Sequence, residues 1–192
     1  MDNTVYIISY KTNGEYNPIL KDSKNRFEEQ NFKVKVIEGY NLKDYPDMRR
    51  STVVYKNFQK ALNEVVPALS GIFVAEDDCY LNDGITFEFL RDRIQAIPDY
   101  NNKVIRVGYQ KILKDYVVGT QLIWIPQTII ESVAEEMRNT TPQHLDGFLS
   151  KPRKMNVILL DRHEQMVNKN KYAVEIEHYS HILGAVRKGK KL

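Results

Sequence analysis

Residues 71–76, GIFVAE, hold no polar side chain before the closing glutamate. An almost wholly apolar run of this length reads as a strand covered on both faces, so the rest of the chain must supply helices above and below it. The preceding sequence does so. TVYIISY (4–10) is rich in β-branched and aromatic residues and reads as a first strand. NPILKDSKNRFEEQN (17–31) spaces Ile19, Leu20 and Phe27 as a helix does, with Pro18 suited to a first turn. FKVKVIEG (32–39) alternates with period two, and MRRSTVVYKNFQKALNEVV (48–66) lines Val54, Phe58, Ala61, Leu62 and Val65 along one helical stripe. The order β-α-β-α-β predicts an α/β fold with a mostly parallel sheet flanked by helices.

The second half continues with a helix at about 84–97, strands at 103–109 and 121–126, a helix at 127–139, a short helix near 142–150 and a strand at 155–160. Two strands in succession with no helix between them predict a mixed sheet. At 192 residues, without an internal repeat or a Pro/Gly-rich linker, the chain is expected to form a single domain. No apolar run approaches a membrane span, and the N-terminus enters a strand at once and not a signal peptide. The one cysteine, Cys79, excludes an internal disulfide and fits a reducing compartment, so a cytoplasmic location is expected.

The net charge of +3 is unevenly spread. Arg187, Lys188, Lys190 and Lys191 crowd the last ten residues, LGAVRKGKKL, while the other 24 Lys and Arg nearly balance 25 Asp and Glu. A near-neutral body with a basic tail results. The tail is either a solvated terminus or a partner for nucleic acid, an acidic membrane or a phosphorylated ligand.

Behind the apolar strand stand three consecutive carboxylates, Glu76, Asp77 and Asp78. In open α/β sheets ligands collect at the carboxyl ends of strands, which is where these acids fall. Three carboxylates at such a place repel one another and lose solvation unless a cation is shared among them. Oxygen-only ligands suit Mg²⁺ or Mn²⁺, and Mg²⁺ is commonly held by one or two carboxylates plus substrate phosphates. The plainer reading is an acidic loop that caps the next helix, with Asp83 of the following NDG as the cap.

FVAEDDCYL resembles the Glu-Asp-Asp form of the DXD motif in nucleotide-sugar-dependent glycosyltransferases of the GT-A fold, especially the lipooligosaccharide galactosyltransferase-like family (family 25) and its viral relatives. Three further segments fall in that family's order. STVVYKNFQKAL (51–62) is similar to its Ser-His helix, with Val54 or Tyr55 in place of the histidine. VGTQLIWIPQTIIESVAEEM (118–137) is similar to its Gly-Thr-Gln strand and following helix, and QHLDGFLSK (143–151) to its short aspartate segment. A degenerate HYSHI (178–182) stands where the family has Ser-x-Ile, so the likeness spans about residues 4–182.

The resemblance implies a GT-A-like domain with a nucleotide-binding half at about 1–100, an acceptor-side half at about 101–182 and the basic tail at 183–192. It implies a metal-dependent transfer of sugar from a nucleoside-diphosphate sugar, a UDP-sugar foremost, to a hydroxyl acceptor such as a glycan. Asp78 is then the direct ligand of Mn²⁺ or Mg²⁺. Glu76 reaches the metal, through a bound water, or the ribose hydroxyls, and Asp77 supports them from behind. His178 or His181 offers a further ligand, which shifts preference toward Mn²⁺, unless both are ordinary surface side chains. Asp146 occupies the family position closest to the general base, and it reads equally as a helix cap or an acceptor-orienting group. His144, two residues earlier, is not expected to share a helix face with it. Ser9, Tyr10 and Lys11 at the end of the first strand are expected to meet the base and ribose, and Arg50 the diphosphate. Arg187 and Lys188 are expected to close over the same diphosphate as a lid.

Two other classes fit parts of the pattern. A metal-dependent phosphoesterase or nuclease also gathers carboxylates at strand ends, with Asp161 as the one further candidate. A noncatalytic nucleotide- or nucleic-acid-binding domain explains the tail, although the neutral body offers no continuous basic face.

Overall fold

The computed structural model describes residues 1–65, 70–107, 111–112, 117–118, 121–150 and 158–159. In chain order the strands are β1 (Thr4–Ser9), β2 (Lys11–Thr12), β3 (Glu15–Tyr16), β4 (Lys33–Glu38), β5 (Ile72–Glu76), β6 (Ile105–Val107), β7 (Lys111–Ile112), β8 (Val117–Val118), β9 (Leu122–Ile125) and β10 (Ile158–Leu159). The helices are α1 (Pro18–Glu29), α2 (Arg50–Val65), α3 (Phe87–Gln95), α4 (Gln127–Asn139) and α5 (Leu145–Ser150).

Six strands make one sheet in the order β10-β6-β9-β5-β1-β4. The pairs β1–β4, β1–β5 and β6–β10 are parallel, and β9 runs antiparallel to both β5 and β6. The mixed, mostly parallel α/β sheet expected from the alternation is found. β5 lies inside it, and its side chains divide between two cores as a pleated strand requires. Phe73 and Ala75 join Val5, Ile7, Leu20, Phe27, Leu90 and Ile94, the side of α1 and α3. Ile72 and Val74 join Tyr55, Phe58, Leu62, Ile130 and Phe148, the side of α2, α4 and α5. On the first side Phe32 meets Phe27 and Phe73 edge to face, both pairs with ring centroids 5.3 Å apart. Each fully buried ring of this kind is worth about 1.5–3 kcal/mol.

Local signals set the element ends. Asn17 Oδ1 accepts the Ile19 N–H at 3.2 Å and Pro18 opens α1, where its missing N–H costs nothing. β4 is one edge of the sheet, and exposed Lys33 and Lys35 alternate with half-buried Val34 and Val36, a pattern that discourages further pairing. A Cβ at Gly39, just after β4, would lie 2.9 Å from Asn57 Cγ. The buried Asn57 of α2 uses that space to hold the backbone of Tyr40, accepting its N–H at 2.5 Å and donating to its carbonyl at 3.1 Å.

Two features depart from the sequence-based expectation. Asp83 does not cap α3; Thr86 does, its Oγ1 accepting the Phe89 N–H at 3.2 Å. A hairpin, β2–β3, turns at Asn13 and Gly14, with φ of 55° and 85°. Asn-Gly is the favoured pair for such a turn because both central residues need positive φ.

Candidate active site

Glu76 ends β5, and its N–H donates to the carbonyl of Gln121, which precedes the antiparallel β9. The chain then turns: the Cys79 N–H returns to the Glu76 carbonyl at 3.1 Å. Two buried hydroxyls hold this turn from neighbouring elements. Ser9, at the end of β1, donates to Asp77 Oδ2 at 2.7 Å, and Ser23 of α1 donates to the Cys79 carbonyl at 2.6 Å. Cys79 itself is fully buried, and burial pushes its thiol well above the ordinary range. The acidic turn is thus fixed by the fold and not by mutual attraction among its side chains.

The three carboxylates are costly as placed. Burial, then the charges of Asp78, Asp146 and Asp77, push Glu76 well above the usual carboxylate range, against a smaller opposing pull from Arg50. Burial lifts Asp77 to about 6 despite the Ser9 hydrogen bond. Asp78 is raised by burial, with Arg50 opposing, and its Oδ1 is buried without a hydrogen-bond partner. The triad does not cap α3, because Thr86 holds that role. Carboxylates held desolvated and close together are the physical signature of a functional site more often than of a structural one.

A cavity of about 570 Å³ opens at Glu76 of β5, lined also by Arg49, Arg50, Ser51 and Val54 from the start of α2 and by His144, Leu145 and Asp146 from the start of α5; Asp77 and Asp78 are not in its lining. The structure therefore brings Glu76, Arg50 and Asp146 together from three separate elements. His144 shares the cavity with Asp146, contrary to the helix-face expectation. It precedes the first helical residue, Leu145, so the helical period does not govern it. Of Val54 and Tyr55, which the sequence resemblance sets in place of a histidine, Val54 lines the cavity. Tyr55 is fully buried, and its hydroxyl donates to the Met137 carbonyl at 3.2 Å.

Tyr10 is exposed over 37% of its surface at the end of β1, and partial burial, then the Asp77 charge, raise its phenol. The Lys11 ammonium is engaged elsewhere, 2.8 Å from Glu38 and 4.9 Å above the Tyr16 ring. Trp124 is core, at 2% exposure against Tyr100. His178, His181, Arg187 and Lys188, with Asp161, lie outside the described residues.

Arg106 was not singled out by pattern reasoning. It is fully buried in the middle of β6, with Nη1 3.7 Å from Asp146 Oδ1. The signal was present in KVIRV, where one charge interrupts a run that otherwise reads as buried strand.

Among the described residues no three His, Cys, Asp or Glu side chains are grouped to hold a metal ion. Two carboxylates with an orphaned buried oxygen, Asp78 Oδ1, nevertheless match the sparse protein contribution typical of Mg²⁺ or Mn²⁺ beside a phosphorylated substrate. The donor set fits such an ion.

No helix among the described residues is long and apolar enough to cross a membrane. No protein-family model matches the chain, and no curated protein does so. Solved structures do. A glycosyltransferase involved in the glycosylation of the major capsid of PBCV-1 superposes with a TM-score of 0.52 at 15% identity, over 82% of this chain and 81% of its own. A protein from STIV gives 0.50 at 13% identity, over 89% and 95%. The 4-diphosphocytidyl-2C-methyl-D-erythritol synthase of Anaerococcus prevotii scores 0.48 at 11% identity, over 94% and 99%, below the level that establishes a common fold. At these identities the first two likenesses show the fold alone, a GT-A-like mixed α/β sheet.

Proposed function

We propose that this protein is a metal-dependent glycosyltransferase of the cytoplasm that moves a sugar from a nucleoside-diphosphate sugar, UDP-linked in the first instance, to a hydroxyl of a glycan acceptor. The observation that carries this reading is the convergence of Glu76, Arg50 and Asp146 on one cavity, with the orphaned Asp78 Oδ1 two residues beyond Glu76 in the same turn. The likeness of FVAEDDCYL to the DXD motif and the fold shared with a viral glycosyltransferase point the same way.

Asp78 and Glu76 would hold Mn²⁺ or Mg²⁺, with His178 or His181 as a further candidate ligand. When bound, such a cation neutralises charge that builds on the departing diphosphate. The chain's own groups supply the rest. Arg50 grips the diphosphate by charge-assisted hydrogen bonds, and Arg187 and Lys188, outside the described residues, are the further cations the sequence offers for it. Tyr10 packs against the base or ribose, while the Ser9 hydroxyl, by holding Asp77, keeps the turn in register. Asp146 accepts the proton of the acceptor hydroxyl as its oxygen attacks the anomeric carbon and the sugar–phosphate bond breaks.

Titration with uridine diphosphate, with and without Mn²⁺, is the direct test, followed by a screen of nucleotide sugars for metal-dependent hydrolysis without acceptor. Metal-dependent nucleotide binding and turnover of one donor are expected. Cleavage of simple phosphodiesters without any sugar turnover would instead identify a phosphoesterase, and nucleotide binding without turnover a noncatalytic domain.

A further inference from the structure

We infer that Arg106 is the positioning residue for Asp146, holding the carboxylate that faces the acceptor; this rests on the glycosyl-transfer reading above. Arg106 heads the fully buried side chains by size among the described residues. It sits inside the sheet, opposite Ile123 on β9 and Leu159 on β10. Its strand neighbours Ile105 and Val107 face the α1–α3 core, so by strand alternation Arg106 projects to the side where α5 packs.

An aliphatic residue would fill such a position without loss of solvation, and a buried guanidinium is retained at a cost unless it is paired. Burial pushes Arg106 below its ordinary range while the Asp146 charge pulls it back. The contact is twofold. Nη1 lies 3.7 Å from Asp146 Oδ1, and Nη2 donates to the Asp146 main-chain carbonyl at 3.4 Å. Asp146 therefore meets the cavity on one side and a fixed cation on the other, while Arg106 is not part of the cavity lining. A group gripped through both its carboxylate and its backbone keeps one direction, and misplacement of a reacting group by as little as 1 Å costs on the order of 10²-fold in rate.

The test uses four full-length proteins: wild type, Arg106→Lys, Asp146→Asn and the double variant. Arg106→Lys keeps the charge and loses the planar two-pronged reach. It is expected to lower kcat by about 10²-fold while donor KM stays within about 2-fold. Adding Asp146→Asn to it should cost no more than about 3-fold beyond Asp146→Asn alone, because residues that act as a unit are not additive. Arg106→Gln serves in the same scheme if Arg106→Lys does not fold. Full kcat in the folded variant, or losses that simply multiply, would overturn the role. Urea unfolding of the same proteins reads the pair independently of any reaction: non-additive midpoints support the contact, and additive midpoints overturn it. A wild type inert toward every nucleotide sugar, with non-additive midpoints, removes the glycosyl-transfer reading and leaves the Arg106–Asp146 pairing standing.

Discussion

Two acidic places lie within eight residues of each other, and they are built in opposite ways. Asp83 is exposed, yet it is matched: the Arg26 guanidinium contacts its carboxylate, donates from Nε to the Leu81 carbonyl at 2.7 Å, reaches Glu29 at 3.2 Å and lies over the Tyr80 ring. Glu76, Asp77 and Asp78 are less exposed and poorly matched, with Arg50 as the cation that opposes their shifts. Pairing at Arg26 has a structural account, since it ties α1 to the loop before α3. Crowding at 76–78 has none within the fold. The fold neutralises an acid cheaply at one end of the loop and leaves three poorly matched at the other, the contrast on which the proposed ligand role of the second set rests.

Removing the charge that fits a metal should break this comparison most. Asp78→Ala is expected to abolish transfer, by about 10²-fold at the least, since one lost transition-state contact already costs 10²–10³. Metal-dependent nucleotide binding, followed by calorimetry, should go with it. The melting temperature should hold or rise, because a desolvated charge has been deleted. Undiminished activity would show that Asp78 is no ligand.

Next in size is Asp146→Asn, which keeps shape and hydrogen-bonding reach but removes basicity. A fall in kcat of roughly 10²- to 10⁴-fold is expected, with nucleotide binding unchanged. A loss confined to acceptor KM would make Asp146 a group that orients the acceptor and not one that takes its proton.

Much of this arrangement is legible in the sequence, and what is not has physical reasons. Strands and helices with strong periodicity, such as GIFVAE and the stripe on 48–66, fall within a few residues of β5 and α2. Periodicity reports burial, and burial is what forms those elements. The Asn-Gly hairpin carries its own local signal in Asn13 and Gly14, but its two-residue strands are too short to show a period. Asp83 misleads because its capping preference is local, whereas the ion pair with Arg26 is made across the fold. His144 misleads because a rule for helix faces fails one residue before a helix begins. That Arg50, Glu76 and Asp146 converge depends on where α2 and α5 dock, and no pattern along the chain encodes this directly. Arg106 shows the middle case: its oddity is visible in KVIRV, but its partner lies 40 residues away.

The structural half of the comparison is broken by Arg26→Ala, which strands the Leu81 carbonyl and releases Asp83. Loss of a partly buried, charge-assisted set of this kind should lower stability by about 1–3 kcal/mol, while donor KM and kcat stay near wild type. Asp83→Asn, on an exposed partner, should cost under about 1 kcal/mol. Urea unfolding reads both. A large catalytic defect in Arg26→Ala would mean that the acidic turn depends on α1 for more than its fold.

The smallest effect, and the sharpest in sign, is expected at Asp77. Its carboxyl titrates at about 6 in the folded chain because burial outweighs the Ser9 hydrogen bond, whereas an unfolded aspartate titrates near 3.9. The folded state thus holds this proton more tightly than the unfolded state does. Below about pH 4 both states are protonated and the group is neutral in the balance; as pH rises from about 4 to 6 the folded state must ionise a poorly solvated acid, and stability is lost. Asp77→Asn is neutral at every pH and can still accept the Ser9 hydroxyl. Measured without metal, the variant should match wild type near pH 4 and exceed it by about 1 kcal/mol above pH 6, with the partial exposure of the side chain keeping the gap below the full shift. Glu76 and Asp78 retain their own losses over the rising limb, so the curve is flattened and not abolished. A gap that is constant across pH would mean the substitution acts through packing, and a gap of opposite sign would mean Asp77 is stabilised as the anion.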